Sequence, residues 1–135
     1  MEHALAEGLE RVFILEDDVD FPDNFMTLLN ETIKQLPEDW DGIHLGGYSH
    51  TNHLDYYSGM LYRCYRSCGG YGYIVRSKAI PKILEKTNNS NKQFDINLAD
   101  LMPELKWFKS KIMLVKHLPG FSDIQGRHVD YKELY

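Results

Sequence analysis

Between Arg11 and Asp20 a short apolar run meets a block of acids, and that junction limits what the rest of the chain can build. Val12 to Leu15 is long enough for a buried strand and too short for a helix. Glu16, Asp17 and Asp18 follow at once, and Asp20 comes after a single valine. Unpaired carboxylates are costly to bury, so the chain has to leave the interior there. The acids therefore stand at the carboxyl end of a strand, the edge where open α/β sheets bind ligands. Like charges this close repel one another, and a cation among them relieves the repulsion. Oxygen ligands of this kind suit a hard divalent ion, magnesium or manganese, whose remaining positions are often completed by phosphate oxygens. The same residues also fit a solvated loop end, or a cap for a helix starting near Pro22, with Asp20 or Asp23 as the capping residue.

The chain around this junction reads as alternating strands and helices. Met1 to Gly8 has the pattern of the last turns of a helix, with Gly8 as its stop. Phe25, Leu28, Leu29, Ile33 and Leu36 recur at three- and four-residue steps, which predicts an amphipathic helix over 23–36, ending before Pro37. Ile43 to Leu45 is a short strand. Strand, helix, strand in that order predicts a parallel neighbouring pair with a right-handed crossover. Gly46-Gly47 breaks the pattern, and 48–59 has no period, so it reads as a long mobile loop with His50 and His53 as solvated residues. Met60 to Arg66 and Tyr71 to Arg76 read as strands, Lys78 to Lys86 as a helix capped by Ser77, and Lys106 to Lys116 as a last strand. Asp95 precedes Ile96, Leu98 and Leu101 and fits the cap of a further short helix. The segment 118–135 is an irregular tail.

Composition narrows the classes. The chain has 135 residues, the size of a single domain with a real core. A net charge of -5 argues against a nucleic-acid footprint or a polybasic membrane patch. No apolar run has the length of a membrane span. Cys64 and Cys68 do not form a disulfide framework and lack the further ligands of a zinc site, so a reducing cytoplasm is the simplest setting. Much of the tyrosine falls between Tyr48 and Tyr73, a composition shared by sugar-binding surfaces and ordinary strand pairs.

Several stretches together carry a resemblance. They are His3 with Ala4 and Ala6, Ile14-Leu15-Glu16-Asp17-Asp18-Val19, Leu45-Gly46-Gly47, Gly70 to Val75 with Ser77 and Ala79, Asp95, and Phe121-Ser122-Asp123-Ile124. In their order and spacing the chain resembles glycosyltransferase family 25, which contains bacterial lipooligosaccharide galactosyltransferases and procollagen galactosyltransferases. The resemblance covers most of the chain.

The resemblance implies a GT-A-like α/β fold, a mixed and mostly parallel sheet flanked by helices. It implies transfer, with inversion, of a hexose such as galactose from a UDP-sugar to a glycan or lipid-linked saccharide, as in lipopolysaccharide biosynthesis. Asp18 and Asp20 become the D-x-D pair for manganese (or magnesium), with Asp17 as an alternate ligand. Asp17, Asp18, Gly46 and Gly47 fall on the donor-binding side. An inverting transfer needs a general base, and Asp95 takes that place, with Asp123 second. In the family a nucleotide-binding βαβ half precedes the helix that contains His3. The expectation is thus a fold truncated at its N-terminus, with an open strand edge that favours self-association or a partner supplying strands. Two rivals stand beside this reading: a catalytically inactive binding domain derived from a transferase, and an unrelated metal-dependent phosphoryl-transfer or hydrolase fold.

Overall fold

A computed structural model of the chain describes residues 1–122 and 126–130. The elements in order are α1 (Glu2–Ala6), β1 (Arg11–Leu15), β2 (Val19–Asp20), α2 (Phe25–Ile33), β3 (Gly42–His44), β4 (Leu54–Tyr56), β5 (Leu61–Cys64), β6 (Gly72–Arg76), α3 (Ile80–Asn88), α4 (Phe94–Leu101), β7 (Trp107–Ser110), β8 (Lys116–His117), β9 (Gly120–Ser122) and β10 (Arg127–Val129). Gly8 ends the first helix region with φ +66, a conformation that costs glycine little.

The chain is mixed α/β. Its main sheet has six strands in the order β1-β6-β3-β7-β5-β4. Alternation along the strands divides the core into two layers. Val12 and Ile14 of β1, Tyr73 and Val75 of β6 and Trp107 of β7 face one layer, with Ile80 and Ile83 of α3 and Leu98 and Leu101 of α4. Phe13, Ile43, Ile74 and Phe108 face the other, with Phe25, Leu28, Leu29 and Ile33 of α2. This is the two-residue period of a strand put to use on both faces of one sheet.

The expected mostly parallel sheet is not what forms. β3 and β7 pair in parallel, while β1–β6, β3–β6, β5–β7 and β4–β5 are antiparallel. Nor are β1 and β3 neighbours. Both run antiparallel to β6, which lies between them, so they share a direction without sharing hydrogen bonds. Burial accounts for the insertion. Gly72 to Val75 is buried throughout, which requires a strand with partners on both edges. β1 is exposed at both ends and takes the sheet edge.

Other expectations shift in the same way. The segment 48–59 is not a free loop: Tyr48 bridges to Cys68, and β4 pairs with β5 while Leu54 packs into the core. The strand expected over 106–116 is two pieces, β7 and β8. The chain turns between them so that Leu114 and Val115 donate their N–H groups to Leu45 O. The tail over 118–135 is not wholly irregular, since β9 and β10 form an antiparallel ladder. No helix among the described residues is long and apolar enough to cross a membrane.

The sheet centre is packed around a histidine. Trp107 Nε1–H donates to His44 Nδ1 at 2.7 Å, and the His44 ring stacks on Tyr73 with centroids 5.5 Å apart. Burial, aided by Lys109, holds the His44 pKa well below its ordinary value, so the ring is a neutral acceptor. The Trp107 ring lies where a Cβ on Gly42 would go, which is why glycine opens β3.

Candidate functional site

The acids after β1 gather beside the small β2–β8 ladder. β1 continues by one more bond, Glu16 N–H donating to Tyr71 O at 3.1 Å, and then leaves the sheet. Val19 pairs with His117 and Asp20 with Lys116, and Leu118 N–H donates to Asp18 O at 2.8 Å. This brings His117 from the far end of the chain onto the acids. Its Nε2 lies 2.9 Å from Asp18 Oδ2, and the ring packs edge-on against Tyr71 with centroids 5.2 Å apart.

Glu16, Asp18 and His117 each offer one ligand atom, all within 4.8 Å of one another. Two carboxylates and an imidazole nitrogen carry charge and donors enough for one divalent cation, at a spacing that small side-chain adjustments close. Carboxylates suit magnesium and manganese and imidazole suits later first-row metals, so the mixed set does not single out one divalent ion. Such a donor set could hold a divalent cation, and its members differ from the expected pair Asp18 and Asp20. Asp20 is not in the group; it sits exposed on β2, opposite Lys116. Asp17 is exposed and also lies outside the group, acting on Glu16 only through its charge.

A cavity of about 460 Å³ opens next to the cluster, between the end of β1 and the start of α4. Its walls include Glu16, Gly70, Tyr73, Phe94 and Asp95. Two acids on different elements thus share one cavity. Partial desolvation raises the Glu16 pKa, with Asp18, Asp95 and Asp17 adding to the rise and His117 opposing it. Burial, with the Glu16 charge nearby, pushes the Tyr73 phenol up, so it remains a neutral hydroxyl. The Tyr73 and Phe94 rings stack with centroids 6.4 Å apart and form the apolar side of the cavity.

Asp95 stands in the first turn of α4, where a carboxylate is favoured by the helix dipole. It is not the capping residue; that position is Gln93. Its Oδ1 accepts from Ile96 N–H at 2.8 Å and its Oδ2 from Gly69 N–H at 3.2 Å, which ties the glycine turn before β6 to the helix. Asp123 lies outside the described residues.

Gly46 and Gly47 follow β3 and are buried. A Cβ on Gly46 would overlap Val115 O, and one on Gly47 would overlap Gly69 O. Gly47 also has φ +112. Close backbone approach explains both glycines, and neither lines the cavity. Lys109 Nζ donates to Gly47 O at 2.5 Å from beneath this turn. His50 accepts or shares a hydrogen bond with Tyr48 OH at 3.0 Å and stacks edge-on with His53, away from the acidic cluster.

Sequence reasoning passed over His117 and gave Glu16 no separate role. The one signal for His117 was its place two residues after the apolar run Ile112 to Val115, a polar residue where a strand reaches its end. Nothing local tied that end to the acids. No protein-family model and no curated protein matches the chain.

Proposed function

We propose that the chain carries the metal and acceptor side of a GT-A-like glycosyltransferase of the family 25 kind. The reaction is transfer of a hexose, such as galactose, from a UDP-sugar to a hydroxyl of a glycan or lipid-linked saccharide, with inversion and in the cytoplasm. The observation that carries this reading is the convergence of Glu16, Asp18 and His117 beside the cavity that Glu16 shares with Asp95. Glu16, Asp18 and His117 would hold manganese. A bound divalent ion stabilises negative charge on a departing diphosphate. Asp95 would take the proton of the attacking hydroxyl, at the cavity wall and outside the ligand group. Tyr73 and Phe94 give a sugar ring an apolar surface and one neutral hydroxyl donor.

The experiment is calorimetry with manganese, with and without uridine diphosphate, on the wild type and Asp18→Ala, followed by an assay of UDP-galactose hydrolysis. Metal-dependent nucleotide binding that Asp18→Ala loses, with slow donor hydrolysis, supports the proposal. Equal binding by both proteins overturns the metal assignment.

A second reading, a transferase-derived binding domain without turnover, is favoured by one feature. Both Asp95 oxygens already accept backbone N–H groups, as a purely structural carboxylate would. Binding of metal and nucleotide without any donor hydrolysis would select this reading. Turnover of simple phosphomonoesters in preference to the nucleotide sugar would select a phosphatase-like activity instead.

A further inference from the structure

A second groove, of about 550 Å³, runs from the start of α1 to the end of α3 and meets the cavity of Glu16 and Asp95 at Phe94. We propose that this groove holds a second sugar of the acceptor, so that the acceptor class is a neutral oligosaccharide and not a single sugar. The proposal rests on the transferase reading of the first cavity.

Continuity is the first observation. Phe94 opens α4, is 40 % exposed, and is the one residue common to the walls of both spaces. The ring that borders the sugar in the first cavity is therefore also the edge of the groove. A sugar chain that leaves the first cavity on this side crosses Phe94 and enters the groove directly. Pyranose rings have a face of C–H groups, and such a face packs well on an aromatic side chain.

The chemistry of the lining is the second. Met1 and Leu84 are partly buried against the core and give the groove a small apolar floor. Glu2 and His3 of α1 and Thr87 and Asn88 of α3 place polar groups around it. Thr87 Oγ–H donates back to Ile83 O at 3.0 Å, so the hydroxyl offers a ligand its acceptor lone pairs. The exposed Asn88 amide offers both donors and an acceptor, and the exposed Glu2 carboxylate accepts. An apolar floor ringed by donors and acceptors matches a hydroxyl-bearing ring. A hydrocarbon tail in the same place would strip water from these groups and return no hydrogen bonds, which is unfavourable. No lysine or arginine lines the groove, so a neutral sugar suits it better than an acidic one.

The test is an NMR titration of the isotope-labelled chain in magnesium and UDP, magnesium standing in for paramagnetic manganese. The probes are lactose, cellobiose and diacetylchitobiose, each against its own monosaccharides, with octyl glucoside as a lipid-like control. At least one disaccharide should bind about tenfold more tightly than its monosaccharides, the factor of one or two net hydrogen bonds. It should move the Asn88 side-chain amide and backbone amides over 84–88 together with those of Gly70 and Asp95. Asn88→Ala and His3→Ala should each remove most of the gain and leave monosaccharide affinity unchanged. Both residues are exposed, so neither substitution removes a core contact. Equal affinity for every disaccharide and its monosaccharides, shifts confined to the first cavity, or tighter binding of octyl glucoside would each overturn the proposal. Length-dependent binding without hydrolysis of UDP-galactose would support the groove and overturn the transferase reading alone. Transfer to monosaccharides as fast as to disaccharides would keep that reading and overturn the groove.

Discussion

His117 Nε2 and Asp18 Oδ2 are 2.9 Å apart, although they come from opposite ends of the chain. The β2–β8 ladder makes this contact, and it turns an acidic strand end into a mixed carboxylate and imidazole cluster. The first prediction follows from it. His117→Ala should weaken manganese binding about tenfold or more, the range seen when partners of a metal site are lost. Asp20→Asn should leave it nearly unchanged. Calorimetry on the two variants checks the pair, and a large loss with Asp20→Asn would restore the simple D-x-D arrangement.

A second prediction concerns Asp95. Asparagine keeps an acceptor oxygen for Gly69 N–H or Ile96 N–H, so the fold around the turn should survive. If Asp95 is the base, Asp95→Asn should lower transfer about a hundredfold or more while metal and nucleotide binding stay close to wild type. Retention of most of the rate would reduce Asp95 to a tether between α4 and the glycine turn.

Lys109 provides a pH dependence. Burial lowers its pKa to about 8, although the nearby Cys64 opposes the shift. The unfolded chain still binds the proton up to about pH 10.4. Between these values the unfolded state therefore holds more protons, and stability rises with pH. Below about pH 8 both states are charged and the full cost of the buried ammonium is felt. Lys109→Met should thus gain stability relative to the wild type at pH 7, and the gap should shrink as pH rises towards 10. Urea midpoints of the two proteins across that range are the measurement. A pH-independent gap would show that burial does not perturb this lysine.

The sheet edge yields a fourth prediction. β1 has a ladder partner only in β6 among the described residues, and Leu15 at its end is 41 % exposed. Such an edge is a template for another strand. Association should rise with concentration, and Leu15→Lys should suppress it. Sedimentation velocity decides, and a wild type that stays monomeric over a wide concentration range would count against the idea.

Gly42→Ala is the fifth. The new methyl would overlap the Trp107 ring, which is itself fully buried and hydrogen-bonded to His44. Neither ring can move without breaking that bond, so the loss should be at the upper end of the overpacking range, about 3 kcal/mol. Chemical denaturation gives the value.

What the sequence determined by itself is local. Val12 to Leu15 is apolar and is followed by acids, so a strand must end there. The three- and four-residue spacing from Phe25 to Ile33 makes α2 one-sided, and the unbroken apolar content of Tyr73 to Val75 marks a strand buried on both faces. Each of these is a statement about whether a residue meets water or the core, which neighbouring residues are enough to report. Only the tertiary structure decided which strands meet. Placing β6 between β1 and β3 satisfies its two buried faces and both of its hydrogen-bonding edges at once, and that choice made the sheet mostly antiparallel. The site was decided the same way. Glu16 and Asp18 were visible as acids, but His117 joins them because Val19 and Asp20 find their backbone partners at the far end of the chain. Backbone hydrogen bonds between remote strands carry no signature in local composition, so the cluster was fixed by pairing and not by spacing.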